Sequence, residues 1–367
     1  MKLLDVTQNI TTWYQMSVQP KGLSIYLVGP SGRGKTSVME QSPELLTAAN
    51  PGKTFGFVCI NGAAFTLTSA TGYLWPTEEG GKQYSRFTRP DWWITSEGKP
   101  LEAYDGGIIL VDEADKLGAD EKKIMGEGAL SKRLASHQLP PGWVVWFAGN
   151  TAKDRSGSTK EFDHLINRRM EIKVDDDLDS LVQFMERQGC LPETILFAQE
   201  NPNIVFPENV PEKQGPWCTP RSLVATDQFL QLLMQVKKLD TIPTTADVTE
   251  QMAGSIGAGA AAQYMATVRL GQELPSYEDI VAKPTTIAVP TRPDAQMLAI
   301  YKLAARVTKK EIGPVLDYVK RLPKEFAINF ARSATKRDMS FINTQAFREW
   351  CAENASLVNV LNQLPVK

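Results

Sequence analysis

Residues 29–36 read GPSGRGKT and fit the pattern G-x-x-x-x-G-K-[ST]. In this pattern the glycines let the backbone curl until its N–H groups converge on phosphate oxygens, and the loop opens onto a helix N-terminus, which favours an anion. Lys35 would bring a positive charge to the outer phosphates, and the Thr36 hydroxyl would be a ligand for Mg²⁺. The apolar run 23–28 before the loop predicts a buried strand, and residues 37–48 after it are competent to form a helix. The stretch therefore predicts a nucleotide-phosphate loop.

A second motif, IILVDE at residues 108–113, is an apolar strand that ends in two carboxylates. Asp112 is expected to hold Mg²⁺ together with Thr36, and Glu113 is expected to orient and polarise an attacking water. The nucleotide-binding candidates are thus the loop, the residue after it and the first carboxylate: Gly29, Pro30, Ser31, Gly32, Arg33, Gly34, Lys35, Thr36, Ser37 and Asp112.

Nearly continuous apolar runs recur along the first half of the chain, at residues 23–28, 55–60, 107–112, 143–148 and 170–174. Strands buried on both faces have this composition, and the spacers are long enough to hold crossover helices. The fold class is therefore predicted as α/β, a P-loop parallel sheet flanked by helices over residues 1–174. After this point the pattern is helical, with Thr219 as a cap and Pro220 at the first helical position. A helical lid over 175–282 and a helical C-terminal extension over 283–367 are predicted.

Further candidate residues lie outside the two motifs. Asn150 follows the 143–148 strand. Its side chain either hydrogen-bonds the attacking water or the γ-phosphate, or it is a turn asparagine before Thr151. Arg168 and Arg169 precede the last strand, where a guanidinium could reach a neighbouring subunit's γ-phosphate or simply be solvated. Arg221 lies in the first turn of the helix that Thr219 caps, either as a nucleotide contact or as an exposed arginine.

An aromatic-rich segment, residues 73–93, contains Tyr73, Trp75, Tyr84, Phe87, Trp92 and Trp93. Two interpretations are open from the sequence. The segment is either a substrate-gripping insert that faces the pore of a ring, or a hairpin whose aromatic side chains pack onto the core.

Composition excludes several classes of protein. The 367 residues include 40 Lys and Arg against 42 Asp and Glu. The chain therefore lacks the large basic excess that is typical of proteins whose main function is to coat nucleic acid. The four cysteines are far apart and there are two histidines, so a zinc site is not expected. We expect the cysteines to be buried, reduced thiols in a cytoplasmic protein. The apolar run Ile108–Val111 is far short of the roughly 20 residues that span a bilayer, and the N-terminal residues do not resemble a signal peptide.

In this order the elements resemble an AAA+ ATPase, and more narrowly the MoxR-type family. The resemblance covers nearly the whole chain. It includes GKPLEAYDGGIILVDEADKL at 98–117 with PDWW upstream at 90–93, LPPGW at 139–143 leading to AGN at 148–150 and to Asp154-Arg155, LINR at 165–168, TPRS at 219–222, GAGAAA at 257–262 and LPKEF at 322–326.

The resemblance implies a ring, usually a hexamer, with ATP and Mg²⁺ between subunits. Lys35, Thr36, Asp112, Glu113 and Asn150 would act within one subunit, Arg168 would act on the next subunit's nucleotide, and Arg221 would couple the lid to nucleotide. The family usually has an aromatic residue after the finger arginine. Because this chain has Arg169 there, either arginine, or both, remains a candidate for the finger. Family members typically work with a partner that contains a von Willebrand factor A (VWA) domain, and they remodel proteins or assist metal insertion.

Two other functions remain open. A nucleic-acid motor or loader, of the restriction or replication type, is suggested by 11 Lys and Arg against six Asp and Glu between Lys302 and Glu353. A nucleotide-regulated scaffold with little turnover is the other. The sequence has no N-K-x-D motif for reading guanine, so ATP is favoured over GTP.

Overall fold

The structure, a computed structural model, describes residues 1–150, 166–209, 211 and 214–354. The chain divides into two compact units, Met1–Asp177 and Leu178–Lys367, which are described separately.

The first unit is built on a five-stranded parallel sheet. The strands in the described part of this unit, including those of two small hairpins, are β1 Ser24–Val28, β2 Phe55–Asn61, β3 Leu74–Glu79, β4 Lys82–Phe87, β5 Gly106–Asp112, β6 Arg133–Leu134, β7 His137–Gln138, β8 Trp143–Gly149 and β9 Arg169–Lys173. The sheet order is β2-β5-β8-β1-β9, and each neighbouring pair is parallel. The parallel sheet predicted from the apolar runs is confirmed.

Both faces of this sheet are covered, which explains the continuous apolar runs. On one face Ile25, Leu27 and Trp146 pack with the amphipathic helix α1. On the other face Ile109, Val111 and Phe147 pack with helix α5 and the segment around Trp92. The helices of this unit are α1 Leu3–Ser17, α2 Lys35–Met39, α3 Ser42–Ala49, α4 Leu67–Thr71 and α5 Ala119–Ser131.

The segment after the phosphate loop differs from the single helix expected over 37–48. The structure has two helices there, α2 and α3, with Glu40 and Gln41 between them. Pro43 explains the break, because it lacks a backbone N–H and its ring clashes with the preceding turn, so it is tolerated only at the start of a new helix.

All regular secondary structure in the described residues of the second unit is helical. Its helices are α6 Leu178–Gln188, α7 Pro192–Glu200, α8 Pro202–Val205, α9 Pro220–Lys237, α10 Ala246–Ile256, α11 Ala258–Gln272, α12 Tyr277–Ala282, α13 Pro293–Arg306, α14 Ile312–Val319, α15 Lys324–Arg337 and α16 Gln345–Glu353. Two apolar clusters hold them, one drawn from α6 to α11 and one drawn mainly from α12 to α16. The division into a lid and a C-terminal extension stays a prediction.

The cysteines differ from the expectation of buried thiols. Cys190 and Cys218 are buried, and burial raises the pKa of each thiol to about 12. Cys351 is half-buried, and Cys59 is exposed on strand β2. None of the helices in the described ranges is long and apolar enough to cross a membrane.

The cap at Thr219 is confirmed and gives a test of the helical unit. Thr219 Oγ1 accepts the backbone N–H of Ser222 at 3.2 Å, whereas Thr245, at the same position before α10, makes no such bond. Thr219→Ala is expected to lower the free energy of unfolding by about 1 kcal/mol, because a helix N–H loses its acceptor. Thr245→Ala is the matched control and should change it by less than about 0.5 kcal/mol. Urea unfolding followed by circular dichroism measures both, and equal losses would contradict the capping argument.

Candidate nucleotide-binding site

The loop at residues 29–36 curls around its own lysine. Gly32 and Gly34 have φ angles of 75° and 83°, in the left-handed region that side chains with a Cβ avoid. The Lys35 side chain is only 6% exposed, and its Nζ donates to the carbonyl oxygens of Gly29 and Pro30, both at 2.8 Å. The loop thus holds a buried positive charge under a curved backbone.

The predicted metal ligands lie in contact. Thr36 Oγ1 donates a 2.6 Å hydrogen bond to Asp112 Oδ2, although the two residues are 76 positions apart in sequence. The other carboxylate oxygen, Oδ1, accepts the backbone N–H of Glu113 at 2.8 Å. A hydroxyl and a carboxylate side by side are oxygen donors of the kind that Mg²⁺ takes, so the residues present fit this ion.

Asn150 joins the same cluster from a third strand. Its side-chain Oδ1 accepts a 3.2 Å hydrogen bond from Lys35 Nζ, and its backbone N–H donates to Asp115 Oδ1 at 2.8 Å. Residues from the ends of β1, β5 and β8 therefore meet at one edge of the sheet, as expected when parallel strands all point their carboxyl ends the same way.

Glu113 has an unusual backbone. Its φ is 51° and its ψ is 37°, a left-handed conformation that residues other than glycine rarely adopt and that is enriched at functional sites. Its carboxylate pairs with Lys116 Nζ at 3.0 Å across one turn of a short 3₁₀ helix, Ala114–Lys116. In this arrangement the carboxylate is held by a lysine three residues further along the chain.

Asp115 is a residue that the sequence analysis missed. It is 4% exposed, and its acceptor fixes the backbone of Asn150. The available signal was its spacing, three residues after Asp112 in the run DEADK. Because that turn directly follows the strand end, a carboxylate there can fold back under the site.

Arg33 of the loop and Lys2 of the N-terminal segment are ion-paired with the acidic stretch that follows β9. Arg33 Nε lies 3.1 Å from Asp176 Oδ1, and Lys2 Nζ lies 3.8 Å from Asp177 Oδ1. Burial raises the pKa of Asp176, and the guanidinium of Arg33 opposes that rise. Ser31 and Ser37 of the loop region are exposed.

The two arginines before β9 have different surroundings. The Arg169 guanidinium lies 3.9 Å from the centre of the Tyr26 ring, its side chain is 9% exposed, and it is 3.5 Å from Glu171. Arg168 is half-buried, and its carbonyl accepts the backbone N–H of Ser24 at 3.2 Å. Arg221 belongs to the second unit, where it is exposed in the first turn of α9. Asp154 and Arg155 lie outside the described residues.

The aromatic segment separates into two parts. Trp92 and Trp93 are buried against the sheet, as the packing interpretation expected. The other four aromatic residues belong to the β3–β4 hairpin or its base, and all are exposed: Tyr73, Trp75, Tyr84 and Phe87. Packing onto the core is therefore wrong for these four.

Comparisons with known proteins give remote structural similarities. No protein-family model matches the sequence, and none of the curated proteins matches it. A mutant of RuvB from Thermotoga maritima is 10% identical over 76% of this chain and 77% of that chain, with a TM-score of 0.38. The RuvB Holliday junction branch migration motor of the same organism is 13% identical over 76% of each chain, with a TM-score of 0.36. NtrX from Brucella abortus in complex with ADP is 16% identical over 97% of this chain and 68% of that chain, with a TM-score of 0.39.

The contact between Asp115 and Asn150 can be tested by stability. Asp115→Ala is expected to lower the free energy of unfolding by about 2 kcal/mol, because it leaves a half-buried N–H without an acceptor. Asp120→Ala is the matched control, since Asp120 is exposed and pairs with Lys123 at the surface; its loss should stay below about 0.5 kcal/mol. Chemical unfolding measures both, and a loss for Asp115→Ala no larger than that of the control would refute the role of Asp115.

Proposed function

We propose that the chain is an ATP-binding and ATP-hydrolysing protein of the AAA+ type, and of the MoxR-type branch that its sequence resembles. The observation that carries this proposal is the convergence of Lys35, Thr36, Asp112 and Asn150, with Lys35 bonded to Asn150 and Thr36 bonded to Asp112. The curved glycine loop, the buried ammonium and the oxygen pair suited to Mg²⁺ are the groups that bind the phosphates of a nucleoside triphosphate in P-loop proteins.

The chain's own residues divide the work. Lys35 would exchange the carbonyls of Gly29 and Pro30 for phosphate oxygens, and Asn150 would hold its position. Bound Mg²⁺ would be held by Thr36 and Asp112, and it would neutralise charge on the phosphate oxygens. Glu113 would leave Lys116, orient the attacking water and accept its proton. The left-handed backbone of Glu113 supports this role, because residues held in this rare conformation are enriched at functional sites.

Arg168 is the better candidate for a finger that acts on a neighbouring subunit's nucleotide. Arg169 is stacked on Tyr26 of its own subunit and largely buried, so using it in another subunit would cost that cation–π contact. Arg168 is not part of the contact between Arg169 and Tyr26, and it lies at the position of the finger arginine in the MoxR-type segment LINR, residues 165–168. This assignment presumes a ring, for which we propose the usual hexamer, with Arg221 coupling the lid to nucleotide.

We further propose that the ring remodels a protein client, in the manner of a chaperone, together with a VWA-domain partner in the cytoplasm. The exposed aromatic side chains of the β3–β4 hairpin support contact with protein, because exposed apolar groups of this size mark interaction surfaces. The partner itself rests on the sequence resemblance.

The alternative nucleic-acid motor has less support from the basic residues that suggested it. Four of the 11 between Lys302 and Glu353 form ion pairs with carboxylates: Lys302, Arg306, Lys320 and Lys336. Three more donate to backbone carbonyls, at Arg321, Arg337 and Arg348. The four ion pairs offset part of the basic charge that could bind phosphates, and the three bonds to carbonyls fix their guanidinium groups without cancelling the charge.

Nucleotide binding and turnover are expected to separate in two variants. Lys35→Ala should lose ATP binding, because the only cation among the four converging residues is removed, and Lys53→Ala, an exposed lysine, should bind as the parent does. Glu113→Gln should bind ATP and lose about 100-fold or more in turnover. Calorimetry measures ATP binding, and phosphate release with and without DNA measures turnover. Retained binding by Lys35→Ala would refute the nucleotide site. Strong stimulation of turnover by DNA would favour the nucleic-acid motor.

A shared active site is expected to show in mixtures of variants. Arg168→Ala should bind ATP and lose turnover, and adding Lys35→Ala protein, whose Arg168 is intact, should restore part of it. Arg169→Ala is the paired control and should keep turnover within about threefold, because its contacts are internal. Phosphate release per subunit is the readout. Rescue of Arg169→Ala instead of Arg168→Ala would move the finger to Arg169, and rescue of neither would remove the support for a shared site.

A further inference from the structure

An open groove runs along strand β2, at the edge of the sheet away from β9. Its volume is about 780 Å³, and most residues of β2 contribute to its floor. Residues of the α2–α3 segment form one wall, and residues 91–97 form the other. The groove is separate from the residues that we assign to nucleotide.

The floor of the groove is a strand edge. Strand β2 pairs with β5 on one side, and no other strand in the described ranges pairs with it. Alternate residues of such an edge present backbone N–H and C=O groups that can bond an added strand. At seven residues, β2 offers an edge of roughly 20 Å. Natural proteins usually cover or charge an edge of this length, and this one lies at the bottom of a groove instead.

The groove is also acidic. Its described lining includes the carboxylates of Glu40, Glu44, Asp91 and Glu97 and contains neither lysine nor arginine. Glu97 is partly compensated, since Lys99 and Tyr104 donate to it and lower its pKa. Glu40, Glu44 and Asp91 are exposed, and within the described part of the chain they form no ion pair. The charge of the walls therefore calls for a cationic occupant.

Apolar groups lie between the carboxylates. Phe57 is half-buried on β2, and Ile94 is 45% exposed on the opposite wall. Cys59 lies on the floor, where burial and the negative charges of Asp112 and Glu40 raise its pKa to about 11. The thiol is thus protonated at neutral pH, and its alkylation requires alkaline conditions.

We propose that this groove binds an extended segment of a partner protein that carries lysine or arginine, by adding a strand to β2. Backbone hydrogen bonds to the free edge would supply affinity, and alternate side chains would reach the two walls, where carboxylates meet the cations and Phe57 and Ile94 meet apolar groups. The same carboxylates would repel nucleic acid and an anionic membrane. This docking surface goes beyond the proposed ATPase activity and does not depend on it.

The test uses the full chain and two labelled dodecapeptides, one alternating lysine with valine and one alternating glutamate with valine. Fluorescence anisotropy measures binding, and we expect the lysine peptide to bind and the glutamate peptide not to bind. A third peptide repeats the lysine sequence with a methyl group on every second backbone nitrogen. These methyl groups remove the N–H donors along one side of the peptide and leave its charge unchanged. It should bind at least about tenfold more weakly, because several backbone bonds are lost.

Protein variants locate the binding. Glu40→Gln with Glu44→Gln should weaken the lysine peptide about five- to tenfold, because two exposed ion pairs are lost. Glu78→Gln with Glu127→Gln is the matched control, since it removes two exposed carboxylates of the same unit outside the groove. Bound lysine peptide should also slow alkylation of Cys59 at pH 9, followed by mass spectrometry of the fragment that contains it.

Four results would overturn the proposal: no binding of the lysine peptide, equal binding of the glutamate or N-methylated peptide, equal effects of the two double variants, or unprotected Cys59 in the complex. A second copy of the chain is the competing occupant. If the groove variant changes the mass in light scattering and leaves peptide binding unchanged, the groove is a contact between subunits and the proposal is wrong.

Discussion

The arrangement of the site depends on one constraint, the parallel pairing that places β8 between β1 and β5. Val28 lies opposite Gly149 across one pair, and Val111 lies opposite Phe147 across the other. This register brings three strand ends to one edge, so that the loop after β1, the carboxylates after β5 and the amide after β8 lie within hydrogen-bonding distance. A slip of two residues in either pair would move a strand end by about 7 Å and break the contacts of Lys35 and Asp112.

A buried ammonium is the second constraint on the site at the carboxyl ends of the strands. Lys35 is almost fully buried, and an uncompensated buried charge costs several kcal/mol. Two carbonyl oxygens and one amide oxygen accept hydrogen bonds from it, and these three acceptors carry no formal charge. These three neutral acceptors hold the lysine in place without cancelling its charge. A carboxylate in the same position would hold the lysine more tightly and compete with phosphate.

Elements whose local sequence pattern has one physical solution were predicted correctly. The five apolar runs became the five strands of the sheet, within about one residue at each end, because strands covered on both faces must be apolar throughout. The cap at Thr219 followed from a threonine before a proline at a helix start. The contacts of Thr36 with Asp112 and of Lys35 with Asn150 depend on register across the sheet, so the sequence predicted the residues without their pairing.

The failures have a common cause, since burial depends on partners that are distant in sequence. Nothing near Trp92 and Trp93 distinguishes them from Trp75, yet the first two contact the sheet and the third lies on a two-stranded hairpin open on both sides. Asp115 was missed because its partner, the backbone N–H of Asn150, lies 35 residues away. Cys59 was expected to be a buried thiol, as were the other three cysteines, but β2 is an edge strand, and edge position is a property of sheet order.

Two exposed surfaces of the first unit differ in their side chains. The β3–β4 hairpin exposes aromatic side chains, and each of its strands pairs with the other on one side only. Strand β2 buries most of its side chains, and among the described strands it pairs with β5 alone. A partner gains mainly side-chain burial on the hairpin, which tolerates many sequences. On β2 it gains directional hydrogen bonds between carboxylate-bearing walls, which requires an extended and cationic segment. The chemistry of these two surfaces is therefore suited to different partners, an exposed apolar client for one and a defined docking segment for the other.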